Sequence, residues 1–60
     1  LKGLKVGDIV NTPSYFGAKV VRIARGLGLV RSVKVEYYHP YEGKVQMWVN
    51  ADHITQGVGL

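Results

Sequence analysis

The 60-residue chain has no cysteine. That excludes disulfide staples and thiolate metal sites, and it fits a reducing, cytoplasmic setting. Its two histidines, His39 and His53, have no thiol or carboxylate cluster beside them, so no metal is expected. No apolar run approaches the ~20 residues that a membrane-crossing helix needs, and no membrane partner is expected. Acids are scarce, with four Asp and Glu against eight Lys and Arg, for a net charge of +4. Nor do the residues supply a nucleophile, base and orienting acid, or a carboxylate pair on one strand. A self-contained hydrolase is therefore not expected, and no catalytic residue is assigned.

Glycine is plentiful, and it cuts the chain into short strand-like segments. "KVGDIVNTP" offers Ile9, Val10 and Thr12 as a first strand, stopped by Pro13. Residues 13–17, "PSYFG", read as a loop, and "GAKVVRIAR" from Gly17 to Arg25 as a second strand. "GLGL" is a turn, and "VRSVKVEYY" from Val30 to Tyr38 is a third strand. Its alternation puts Val33, Val35 and Tyr37 on one face and Ser32, Lys34, Glu36 and Tyr38 on the other. "HPYEG" turns the chain into a fourth strand, "KVQMWV", with Val45, Met47 and Val49 inward and Lys44, Gln46 and Trp48 outward. "NADHI" reads as one helical turn capped by Asn50, and a last short strand spans Ile54 to Gln56.

These short strands, with no helix longer than a turn, predict one domain over residues 1–60: an all-β, five-stranded small barrel with a helical turn before the last strand. Closure would hide the sheet edges. The expected core is Val10, Val21, Ile23, Val33, Val35, Val45, Met47 and Ile54. A chain this short buries only a thin core.

The order of strand, loop, three-strand meander, helical turn and closing strand resembles the Src-homology-type small barrel. "KVGDIV" followed by "GAKVVRI", and the ending "VNADHI", are similar to Tudor and KOW modules. A second, local resemblance lies in "HPYEGKVQMW", which is similar to the "HPGSVQIY" stretch of the plasmid-borne type II dihydrofolate reductases. In that family four chains surround one pore. The resemblance would place Gln46, Met47 and Trp48 at the positions of the family's glutamine, isoleucine and tyrosine, with NADPH as cofactor. The chain departs from that pattern at Asn11 and Thr12, where the family has basic residues including the pore lysine, and at Val49, where it has proline.

The residues themselves favour a binding surface without a cofactor. An outward Trp48 beside Gln46 and Lys44 offers a large apolar contact, unless a bulge turns the ring into the core. Tyr15, Phe16, Tyr38, Tyr41 and Trp48 are expected to gather at one end of the barrel. Base stacking would use such rings together with Arg22, Arg25, Arg31, Lys34 and Lys44. A methyl-lysine cage would use them with Glu36, Glu42 or Asp52, and a proline-rich peptide would need aromatic ridges. The plainer reading leaves two or three rings covering a thin core. Arg22, Arg25 and Arg31 are expected to flank the glycine-rich hairpin turn and to hold phosphates there.

Net positive charge ranks nucleic acid above a cationic methyl-lysine ligand. The expected function is thus a basic module binding nucleic acid or a nucleoprotein assembly. Its contact residues are Tyr15, Phe16, Arg22, Arg25, Arg31, Lys34, Tyr38, Lys44, Gln46 and Trp48. The alternatives are the homotetrameric reductase and an adaptor for an acidic protein surface. His39 is expected to serve its turn, and His53 to pack against the barrel end.

Overall fold

A computed structural model describes residues 3–56. Four antiparallel strands curl into an open half-barrel: β1 (Ile9–Asn11), β2 (Ala18–Gly26), β3 (Leu29–His39) and β4 (Gly43–Asn50). A 3₁₀ turn, Ala51–His53, follows β4, and a two-residue segment β5 (Thr55–Gln56) pairs with β1. The strand order is β4-β3-β2-β1-β5. Among the described residues no pairing joins β4 to β5, so the sheet stays open where closure was expected.

The core is a thin layer of small branched side chains. Leu4, Val10, Ala18, Val20, Val33, Val35, Val49 and Ile54 are buried, with Tyr15, Ile23, Val30, Tyr37 and Met47 packed against them. Removing a valine of this kind from water is worth roughly 1.5–3 kcal/mol, so each is a large share of a small domain's stability. Val45 lies on the inward-facing side of β4 but is only half-buried, towards the open margin.

β2 departs from the expected pattern at one point. Val20 pairs with Val35 and Arg22 with Lys34, leaving Val21 as an extra residue in a β-bulge. The bulge shifts the phase of the strand, so Val20 is fully buried and Val21, expected in the core, is only half-buried. After the bulge Ile23 points inward opposite Val33. A second irregularity lies near the hairpin end, where Ala24 pairs with Ser32 but Arg25 with Val30, so Arg31 is the extra residue on β3.

The β2–β3 hairpin closes through Leu27 and Gly28, with φ of 54° and 78°. Positive φ at both central residues is the I′ arrangement, whose twist suits the flanking strands. The β1–β2 loop is tied by Thr12. Its hydroxyl donates to the Tyr15 carbonyl at 3.1 Å and accepts the Tyr15 N–H at 2.9 Å. Thr12 is the one buried polar residue among those described, and this pair of hydrogen bonds satisfies it.

The 3₁₀ turn has the expected cap, the Asp52 N–H donating to Asn50 Oδ1 at 3.1 Å. His39 serves its turn as well, its Nδ1 accepting the N–H groups of Tyr41 and Glu42 at 3.1 and 3.3 Å. His53 is exposed and does not pack against the barrel end.

Candidate functional site

The register of the sheet sets the composition of its outer face. Lys34 of β3 lies between Trp48 of β4 and Arg22 of β2, giving one row across three strands: Trp48, Lys34, Arg22. Directly opposed residues on one face have Cβ atoms about 4.5–5.5 Å apart, so these side chains are neighbours. Trp48 is 50% exposed in this row. The ring is on the outside, as β4 alternation predicts, and no bulge in β4 turns it inward.

The next row is Gln46, Glu36, Lys19. Gln46 Nε2 donates to Glu36 Oε1 at 2.9 Å, which ties this carboxylate of the outer face to a neighbour. One row further along, Tyr38 pairs with Lys44. The outer face therefore carries Arg22, Lys34, Lys19 and Lys44 around two exposed rings, Trp48 and Tyr38. Those rings do not touch, because Tyr38 stands four residues from Lys34, about 13 Å along the strand.

The single aromatic cluster expected at one barrel end is not formed. Tyr15 stacks on Tyr37, with centroids 4.4 Å apart and planes at 19°, and belongs to the margin of the core. Tyr37 in turn donates its hydroxyl to Met47 Sδ at 3.7 Å. Phe16 is exposed in the β1–β2 loop, and Tyr41 lies against His39 in the β3–β4 turn, centroids 5.9 Å apart. The physical reason is the alternation of β3, which sends Tyr37 inward, where Tyr15 stacks on it, and leaves Tyr38 outward on the opposite face.

The arginines separate too. Arg22 sits mid-strand in the Trp48 row, whereas Arg25 and Arg31 stand at the hairpin end. Arg31, the bulged residue, lays its aliphatic stem across Gly26. A Cβ built there would stand 3.3 Å from Arg31 Cγ, so Gly26 makes room for that stem. Beside it, Leu29, Val30, Arg31, Asn50 and Asp52 line an open cleft of about 320 Å³. Asn50 is two residues beyond Trp48 on the same side of β4, so the cleft adjoins the Trp48 row.

The sequence reading did not anticipate this cleft or the place of Lys19 on the outer face. Lys19 was legible from the alternation of β2. The cleft depends on the β3 irregularity at Arg31, which no residue pattern announces. Among the described residues no group of His, Cys, Asp and Glu is arranged to hold a metal ion. The chain matches no family model, no curated protein and no solved structure.

Proposed function

We propose that the outer face of the half-barrel binds single-stranded nucleic acid, with Trp48 as a stacking platform and Arg22, Lys34 and Lys44 as phosphate contacts. The observation that carries this reading is the Trp48–Lys34–Arg22 row, an exposed ring with one cation directly opposite it and a second one strand further on. Stacking on an aromatic face tolerates every base, and adjacent cations gain affinity by releasing counterions from the phosphates. The net charge of +4 adds long-range attraction for a polyanion.

We also read the curled sheet as a Src-homology-type barrel of the Tudor and KOW kind. The strand order and the 3₁₀ turn between β4 and β5 support it. The reductase alternative has weaker support, since it needs Gln46 free to line a shared pore and its amide is already engaged by Glu36. An adaptor for an acidic protein surface would use the same cations but gives Trp48 no base to stack on.

The test is Trp48 fluorescence during titration with a thymidylate oligonucleotide across a salt series. Quenching is expected, with affinity falling as salt rises, and replacing Arg22, Lys34 and Lys44 together by Ala should flatten the slope by about 0.7 per lost phosphate contact. An emission indifferent to every oligonucleotide at low salt would reject the reading.

A further inference from the structure

Arg31, Asn50 and Asp52 occupy the wall of a cleft one strand row from the proposed stacking platform. Their hydrogen-bonding capacities are complementary rather than alike. The guanidinium of Arg31 only donates, and the carboxylate of Asp52 only accepts. Asn50 already gives its carbonyl oxygen to the Asp52 N–H, which leaves its amide N–H₂ as a donor. Leu29 and Val30 complete the lining, whose accessible surface is mostly polar. The Asp52 carboxylate takes part in no hydrogen bond among the described residues. The stem of Arg31 lies over Gly26 at the side of the cleft.

A ligand that fits must offer donors to the carboxylate with an acceptor beside them. Phosphate is excluded as the main occupant, because Asp52 would repel it. Among the bases, a carboxylate with two oxygens is matched best by guanine, which alone presents two adjacent N–H donors, at N1 and N2, with the O6 acceptor beside them. Single-stranded segments expose this edge, whereas a duplex hides it.

We propose that this cleft takes one guanine of a bound single strand. Asp52 accepts from N1–H and N2–H₂, and Arg31 and Asn50 donate to O6, while a neighbouring base stacks on Trp48. The proposal rests on the nucleic-acid reading and adds a base preference to it.

The experiment compares a thymidylate hexamer with the same hexamer carrying one central guanine, each titrated into the wild-type chain and into Asp52→Asn. Because the Asp52 side chain makes no hydrogen bond among the described residues, Asp52→Asn is expected to keep the wild-type circular dichroism spectrum. The guanine hexamer should bind the wild type about tenfold more tightly, the discrimination typical of a good bidentate base contact. In Asp52→Asn that difference should vanish while affinity for the thymidylate hexamer is kept or rises slightly, because one negative charge beside the strand is gone. Arg31→Lys, which keeps the charge but loses the fork, should also reduce the preference without changing the salt slope. Equal binding of both hexamers by the wild type, or an unchanged preference in Asp52→Asn, overturns the proposal and leaves the platform standing. Silence toward both hexamers overturns the two together.

Discussion

Along β3 the two faces alternate residue by residue, and they ask opposite things of the chain. Val33 and Val35 are fully buried, while Lys34 and Glu36 beside them face out, opposite Trp48 and Gln46. These two buried residues are interchangeable in chemistry, both small and branched, and their value lies in fit against Val10, Val20 and Val49. The outer ones differ from one another in charge, shape and hydrogen bonding, and little of that variety is needed to fold. If the outer face binds as proposed, stability and recognition divide between alternate positions of one strand. Substitutions on the inner face should move melting, and those on the outer face should move binding.

The inner face offers the sharpest break of that division, at the bulge in β2. Val20→Ala removes two methyl groups from a closed core and should cost roughly 1–3 kcal/mol. Val21→Ala, next in sequence but half-buried, should cost well under that, about 0.5 kcal/mol. Urea denaturation of both variants measures the pair. Equal losses, or a larger loss at Val21, would show that β2 keeps strict alternation and has no bulge there.

This same point marks how far the sequence could be read. β4 and most of β3 were legible because their apolar and polar residues alternate without interruption: Val33, Val35 and Val49 inward, Lys34 and Trp48 outward. β2 contains Val20 and Val21 in succession, and two adjacent valines carry no sign of which one a bulge will expose. Leu4 lay before the first expected strand, yet it is buried against the core. Ala18 is too small to stand out in a pattern of valines. The outer row of Trp48, Lys34 and Arg22 needed cross-strand register, and the bulge sets it: without Val21 as an extra residue, Val21 rather than Arg22 would oppose Lys34. Pairing of Tyr15 with Tyr37 joins a loop to a strand far along the chain, a contact that no local periodicity encodes.

On the outer face the converse outcome is expected. Trp48→Ala should weaken oligonucleotide binding by roughly 1–3 kcal/mol, the usual worth of a stacked base. Its effect on the urea midpoint should be smaller than that of Val20→Ala, because half of the ring is already in water. A Trp48→Ala chain that melts early but binds normally would place the ring in the core's service and dissolve the distinction between the faces.

The smallest expected effect lies at the hairpin tip, where the inner and outer faces both run out. Leu27 is 97% exposed and holds φ of 54°, a left-handed conformation that suits Gly, Asn or Asp and strains a leucine. It has almost no packing to lose, so its substitution reads the backbone alone. Leu27→Asn, which makes the Asn-Gly pair favoured in this turn, should stabilise the domain by about 0.5–1 kcal/mol. For a chain this short that corresponds to a rise in melting temperature of roughly 2–8 °C. Leu27→Val should do the reverse, because a β-branched residue tolerates positive φ least. Neither change should alter oligonucleotide affinity, since the tip lies outside the Trp48 row. A loss of affinity in Leu27→Asn without a loss of stability would extend the binding surface to the exposed Leu27 and Leu29. Melting that ignores both substitutions would mean the turn does not hold Leu27 at positive φ.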